Sequence, residues 1–371
     1  MKDGITLLTY GHAAFTELLS CIAGARKSIE INMFIWRQDA IGNRMARAIL
    51  EAADRGVRVH ISVDRVGAVL EYAEESGKSL FHKHLSLWER VQVTALSVGY
   101  PDLMSREASE ECDPGLYERL IHHQNIVIEK DVKKADHSKF YVFDEETLVM
   151  GGVNIEDKEN GCDARGVVYQ DYMVKLQGKE YVAAFREKRE NRRDVLPTVQ
   201  FVMNKKQPHA SFELEEHYLT MIRQSHRELT VVMAYFAPMP AVMQAILEAA
   251  ERGVRVRILL SARANYQDNK NKWAASLLMQ KSGGKIEVYL SPLMLHTKLI
   301  ISDDRVSFGS GNITKKSFYE LDELNMTTTL PAVVQAVRAD VETNMAQARQ
   351  CRSSDELRYH PVWARLENLF S

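Results

Sequence analysis

The clearest periodic pattern along the chain occurs twice. Ala48-Ile49-Leu50-Glu51-Ala52-Ala53-Asp54-Arg55-Gly56-Val57-Arg58-Val59-His60-Ile61 returns as Ala245-Ile246-Leu247-Glu248-Ala249-Ala250-Glu251-Arg252-Gly253-Val254-Arg255-Val256-Arg257-Ile258, twelve of fourteen positions being identical. Each copy reads as a helix end, a glycine C-cap at Gly56 or Gly253, and an alternating strand. Another strand precedes each copy, at Ser28–Trp36 and Leu229–Phe236. A further apolar run follows, Phe140-Tyr141-Val142-Phe143 in one half and Leu299-Ile300-Ile301-Ser302 in the other. This alternation of strand and helix predicts an α/β domain repeated in tandem.

The two copies are unequally spaced. From Ile61 to His137 is 137 − 61 = 76 positions, and from Ile258 to His296 is 296 − 258 = 38. The first half is therefore expected to carry an insertion of about 38 residues between 68 and 135, the difference of those two counts. It contains Trp88, Tyr100, Pro101, Leu103, Met104, Tyr117 and the pair His122-His123. An extra helical hairpin covering the core is the plainer expectation, and a wall over the site entrance the sharper one. Adjacent histidines share no face of a helix or strand, which argues against a metal pair. Residues 1–178 are expected to form the first domain, 179–208 a linker marked by Pro197 and Pro208, and 209–371 the second domain. The charges of the linker (Arg186, Lys188, Arg189, Arg192, Arg193 against Glu180, Glu187, Glu190, Asp194) suit a solvated helix. Lys205-Lys206 is the better candidate for a basic surface, and Asp355–Phe370 reads as an amphipathic helix packed on the body.

Composition narrows the class. A chain of 371 residues with 45% hydrophobic content can bury a sizeable core. A net charge of −2 argues against a globally basic nucleic-acid binder, so nucleic acid is not the expected partner. Cys21, Cys112, Cys162 and Cys351 are scattered without a CxxC pair, as in a protein with reduced thiols. No run of about 18 apolar residues predicts a membrane span, and the amino terminus has no signal-peptide core. The expectation is a cytoplasmic protein whose contact with membranes is peripheral.

The chemistry lies in a second repeated pattern. The first copy is His137-Ser138-Lys139, Asp144 and Gly151-Gly152-Val153-Asn154; the second is His296-Thr297-Lys298, Asp303 and Gly309-Ser310-Gly311-Asn312. Period two places His and Lys on one face of a strand. Asp144 and Asp303 fall at the strand end, where turn chemistry alone could explain them. The steps at Gly152 and Ser310 let the backbone approach a ligand, and Asn154 and Asn312 add amide donors. A neutral imidazole can attack phosphorus as a nucleophile, and an imidazolium can protonate the leaving alkoxide. Two ammonium groups and two amides can then hold the non-bridging oxygens, with no metal or cofactor required. Asp171 and Glu323, downstream of each Asn, could orient the histidines.

These residues resemble the phospholipase D superfamily, whose signature is a pair of HxKx4D segments each followed by GG or GS and Asn. The resemblance extends over nearly the whole chain. Ala13–Asp64, Gln170–Gly178 and Met294–Lys298 are similar to bacterial cardiolipin synthases, especially short members without amino-terminal membrane spans. It implies an α/β fold of two tandem, pseudo-twofold-related α/β/α domains with one active site at their interface, and a phosphohistidine intermediate. It further implies His137 as nucleophile and His296 as acid, with Lys139, Lys298, Asn154 and Asn312 on the phosphate. The implied activity is phosphatidyl transfer between phospholipids at an anionic membrane surface; a phospholipase D-type hydrolase or nuclease is the alternative. A monomer is expected, because the two halves supply both motifs. The second copy departs from the pattern: five residues separate Asp303 from Gly309, where six separate Asp144 from Gly151.

Overall fold

The computed structural model describes residues 4–74, 79–100, 113–132, 134–163, 166–192, 196–206 and 210–367. Pro101, Leu103, Met104, Cys112, Arg193, Asp194, Pro208 and Phe370, all singled out above, lie outside the described residues. The chain divides into two compact units, Met1–Glu187 and Lys188–Ser371.

The first unit runs β1 (Ile5–Thr9), α1 (Tyr10–Gly24), β2 (Ser28–Met33), α2 (Ala40–Asp54), β3 (Arg58–Val63), α3 (Arg65–Glu74), α4 (Leu87–Gly99), α5 (Pro114–His122), β4 (Ile126–Glu129), β5 (Lys139–Phe143), β6 (Thr147–Gly151), α6 (Asp157–Asn160), β7 (Tyr169–Gln170), β8 (Tyr172–Gln177) and α7 (Lys179–Arg189). Seven strands form one sheet in the order β1-β8-β6-β5-β2-β3-β4. Strands β2, β3 and β4 are parallel, and the remainder pair antiparallel. Such parallel strands need both faces covered, so they read as apolar runs. Phe15, Leu18 and Ile22 of α1, Met45, Ile49 and Ala53 of α2, and Leu116 and Leu120 of α5 bury one face. Phe185 of α7 meets Phe140, with ring centroids 4.9 Å apart.

The second unit contains β9 (Val199–Lys205), β10 (Ser211–Phe212), α8 (Leu214–Arg223), β11 (Glu228–Met233), α9 (Pro240–Glu251), β12 (Arg255–Ser261), α10 (Asp268–Lys281), β13 (Ile286–Ser291), β14 (Met294–Leu295), β15 (Lys298–Ser302), β16 (Arg305–Gly309), α11 (Lys315–Tyr319), β17 (Glu323–Thr328), α12 (Pro331–Gln347), β18 (Arg349–Cys351) and α13 (Pro361–Glu367). Its sheet order is β10-β9-β17-β16-β15-β11-β12-β13-β18. The seven central strands repeat the order of the first unit, β9 standing where β1 does and β13 where β4 does. Tandem α/β units are thus what the duplicated periodicity encodes. The glycine caps are also as read: Gly56 and Gly253 have φ of 92° and 87°, a region other residues enter only with strain.

Three differences from the sequence reading have physical causes. The helix expected within residues 179–208 is present as α7, but the same stretch also holds the sheet strand β9. Its charges masked this: Arg186 pairs with Glu30 and Glu145, and Lys188 with Glu213, so the basic run is neutralised in place. Lys205 donates its ammonium to the Arg189 carbonyl, which occupies the proposed basic surface at home. Next, the insertion falls in the earlier part of the interval 68–135. β4 pairs in register with β3, and α5 precedes it as α10 precedes β13, so residues 114–129 belong to the repeated frame. The added elements are α3 and α4. Finally, among the described residues the helix of the tail spans Pro361–Glu367, starting well after Asp355, and turns a carboxylate inward: Glu367 accepts from the Lys270 N–H at 2.8 Å and the Asn269 amide at 3.2 Å, at the start of α10.

Candidate active site

Both motifs are built by the same local rules. His137 and His296 lie two residues ahead of β5 and β15, on the lead-in rather than the strand proper. Lys139 and Lys298 open those strands and are fully buried. Each lysine turns back on its own motif: Lys139 Nζ donates to the His137 carbonyl at 2.5 Å, and Lys298 Nζ donates to the His296 carbonyl. A buried ammonium needs such a partner, and here the bond also fixes the backbone that carries the imidazole. Lys139 Nζ lies 5.2 Å from the centroid of the Phe34 ring, a cation–π distance. The His137 ring meets the same Phe34 edge-on at 4.8 Å. In the second unit Tyr235 stands edge-on to His296 at 6.5 Å, its hydroxyl bonded to Asn265 Oδ1 at 3.1 Å.

The aspartates that complete each motif face the backbone. Asp144 accepts from the N–H groups of Arg26, Lys27 and Ser28 at 2.9, 2.7 and 2.9 Å. Asp303 repeats the clamp on His226, Arg227 and Glu228 at 2.9, 2.9 and 3.1 Å. Burial opposes ionisation of each carboxyl, but the three N–H donors outweigh it and hold both below the ordinary carboxylate value. Both residues sit at positive φ, 55° and 49°, where Asp is among the better-tolerated residues. Their carboxylates tie the hairpin after the lysine strand to the start of β2 or β11.

That hairpin also absorbs the missing residue of the second motif. In the first unit Phe143 pairs with Thr147 across three turn residues; in the second, Ser302 pairs with Arg305 across two. Beyond the turn the registers agree. Lys139 lies opposite Gly151, and the pairing of Leu299 with Phe308 brings Lys298 level with Gly309. Asn312 is therefore not displaced along the frame.

The glycine turns bring in the carboxylates that follow. The Gly152 N–H donates to the Tyr172 carbonyl and the Ser310 N–H to the Leu324 carbonyl, at 3.1 and 3.0 Å. A Cβ on Gly152 would lie 2.1 Å from Asp171 Oδ2, so the glycine is the space the carboxylate occupies. In the second unit Ser310 Oγ donates to Glu323 Oε2 at 2.5 Å instead. Asp171 and Glu323 thus stand against the two turns by different means. Asn154 and Asn312 are both buried. Asn312 Oδ1 accepts from the Tyr235 N–H at 3.1 Å, while Asn154 Oδ1 has no hydrogen-bond partner among the described residues.

Sequence reasoning missed three supporting residues. Asn325 accepts the Gly311 N–H at 3.0 Å and donates to the Tyr218 hydroxyl at 2.8 Å; Tyr218 in turn donates to the Gly311 carbonyl at 2.7 Å. Asn325 follows Glu323 at the strand period of two, a signal that could have exposed it. Asn32 donates to the carbonyl and hydroxyl of Ser138 at 3.0 and 3.1 Å, steadying the residue between His137 and Lys139. It lies among apolar strand positions, and nothing local marks it.

Taken together, these are two copies of one construction. A histidine and a buried lysine share a backbone hinge, an aspartate clamps the hairpin, and an asparagine follows a close-approach turn. The profile of the family described as the cardiolipin synthase, phospholipase D-like domain matches residues 18–192 and 218–345, and the chain belongs to that family. It is an enzyme of the phospholipase D superfamily. Cardiolipin synthase A of Pseudomonas aeruginosa is 26% identical, over 95% of this chain and 69% of its own length. Cardiolipin synthase B of Escherichia coli K12 is 24% identical, over 89% and 75%. Among solved structures, phosphatidylserine synthase of Haemophilus influenzae superposes with a TM-score of 0.68 at 13% identity, covering 100% of this chain and 93% of that one, a likeness of fold.

Proposed function

We propose that this enzyme is a phosphatidyltransferase of cardiolipin-synthase type, which moves a phosphatidyl group from one phospholipid to the alcohol of another through a phosphohistidine. The observation that carries the reading is the paired motif: each histidine is hinged to a buried lysine, and each motif aspartate is already committed to backbone. That leaves the two imidazoles as the groups with protons to exchange. A ring nitrogen of His137 attacks phosphorus, forming a P–N bond as the P–O bond to the headgroup breaks. The departing alkoxide takes a proton from the His296 imidazolium. The acceptor hydroxyl then loses its proton to the now neutral His296 and attacks phosphorus, and the P–N bond breaks to restore His137. Lys139, Lys298, Asn154 and Asn312 neutralise the non-bridging oxygens, and Asp171 and Glu323 orient the imidazoles. Among the described residues no helix is long and apolar enough to cross a membrane. We infer that the enzyme meets its lipid from the membrane surface.

The experiment is to incubate purified protein with phosphatidylglycerol vesicles and follow lipids by mass spectrometry. Cardiolipin and glycerol are expected; phosphatidic acid alone would make water the acceptor and replace transfer with hydrolysis. With His296→Asn a phosphatidyl adduct on His137 is expected to accumulate, and with His137→Asn none. An adduct on His296 instead would exchange the two roles.

A further inference from the structure

Beside the exposed polar residues Arg90, Gln92 and Thr94, helix α4, one of the added elements of the first unit, carries an apolar stripe on its exposed side: Leu87 is 83% exposed, Trp88 67%, Val91 55% and Val98 74%. With Ala95 these fall at positions i, i+1, i+4, i+8 and i+11, one continuous helical stripe. Its inward anchor is a charge. Glu89 is 1% exposed and accepts from Arg65 Nη2 at 3.0 Å and Nε at 3.1 Å, on the neighbouring helix α3. The same Glu89 caps its own helix, accepting from the Ser86 N–H at 2.8 Å while its N–H donates to Ser86 Oγ at 3.3 Å. In water a surface helix does the reverse, burying its apolar side and wetting its charges.

We propose that the α4 stripe is the surface by which the enzyme enters the headgroup layer of an anionic bilayer. The capping box and the Arg65 bridge hold the stripe outward on a formed helix, which keeps Trp88 and Val98 from collapsing onto the body. Charge selects a bilayer over a protein partner. Glu89 is the helix's one carboxylate and is buried, so the exposed charge of α4 is the Arg90 cation. Tryptophan beside a cation on an exposed apolar helix face suits the boundary between acyl chains and anionic headgroups. The proposal rests on the phosphatidyltransferase reading for the identity of the lipid, but its test does not depend on turnover.

The test compares wild type with Leu87→Ser/Val91→Ser/Val98→Ser, which keeps Trp88 as a reporter. Flotation with vesicles of phosphatidylglycerol and phosphatidylethanolamine reads binding, and tryptophan emission reads insertion. Wild type is expected to float and its emission to shift to the blue. The triple variant should lose at least tenfold in partitioning, keep its melting temperature, and turn over dispersed short-chain phosphatidylglycerol like wild type. Equal flotation of the two proteins overturns the proposal. So does loss of a concentration-dependent dimer, read by sedimentation, with flotation unchanged, because the stripe would then cover a second copy. If wild type floats by its stripe but leaves dispersed lipid untouched, the docking surface stands and the proposed reaction falls.

Discussion

Consider Asp144→Asn. If the motif aspartate served the chemistry, its neutral isostere would cost rate; the structure instead predicts a cost in stability. Asp144 Oδ1 accepts two N–H groups, from Lys27 and Ser28, and Oδ2 one, from Arg26. Asparagine can keep the first two but turns an NH2 toward the third, and removes the charge from all of them. A hydrogen bond to a charged group is worth about 1.5–3 kcal/mol net. This side chain is partly wetted, so a loss of about 1–2 kcal/mol is expected for Asn, and about 2–4 for Ala, which deletes all three bonds. For a unit the size of Met1–Glu187, each kcal/mol lowers the melting temperature by about 2–4 °C. Calorimetry should therefore show Asp144→Asn melting about 2–8 °C lower, with turnover per folded molecule near wild type well below the transition. The pH dependence has a definite sign. The folded-state carboxyl is held below its unfolded value, so its contribution is full above about pH 4 and fades as pH falls through the folded value. Wild type should lose its advantage over Asp144→Asn on acidification. An unchanged melting temperature with a large fall in turnover would refute the structural assignment. Asp303→Asn should behave alike in the second unit.

Other outcomes follow from the same geometry. Gly152→Ala places a methyl 2.1 Å from Asp171 Oδ2, so turnover should fall about tenfold or more as the carboxylate is displaced, an effect of about 1.4 kcal/mol. Ser310→Ala removes one bond to Glu323 without a clash and should cost less, so steady-state rates in the opposite order would count against the packing argument. Arg37 and Glu156 form a buried pair at 2.6 Å, and Arg37→Met should lower unfolding stability by about 3–5 kcal/mol in urea titrations because Glu156 is left charged and under-paired; an unchanged urea midpoint would show the pair to be dispensable. Activity should survive EDTA, since the lysines and amides supply the charge stabilisation, and a full loss reversed by added metal would refute the metal-free scheme.

Much of this was legible because period and repetition are strong signals. The glycine caps at Gly56 and Gly253 and the repeated motifs could be read from spacing alone. The reading failed where charge or sequence distance hid the physics. The linker looked solvated because Arg186 and Lys188 are charged, yet their partners, Glu30 and Glu145 for one and Glu213 for the other, lie far off in sequence. The interval left for the insertion ran past β4, Ile126–Glu129, because that strand is only four residues long and too short to show alternation. The shortened spacing after Asp303 left open a tighter turn or a displaced Asn312; it is the tighter turn, since hairpin turns of two and three residues both return the strand in register. For α4 the sequence singled out Trp88 but not the face it lies on, because which side of the helix turns inward is decided by Arg65 on another helix.

The edge strands have a consequence for how the protein is made. Among the described strands β1 pairs with β8 alone, Ile5 opposite Leu176 and Thr9 opposite Tyr172, so it is synthesised long before its neighbour. In the second unit β9 has the short strand β10 on its outer side, yet its Val199 likewise waits for Thr328 of β17. Each sheet is thus laid down from its middle, while its opening strand must remain in solution until nearly the whole unit has been translated. At about 5–20 residues per second, that leaves Ile5–Thr9 without its hydrogen-bonding neighbour for roughly ten seconds or more. Such non-local closure is slow for any chain, so the moment at which synthesis passes Gln177 is when the first unit can finish folding. Slowing translation before that point should lengthen its exposure to aggregation, and slowing it afterwards should not.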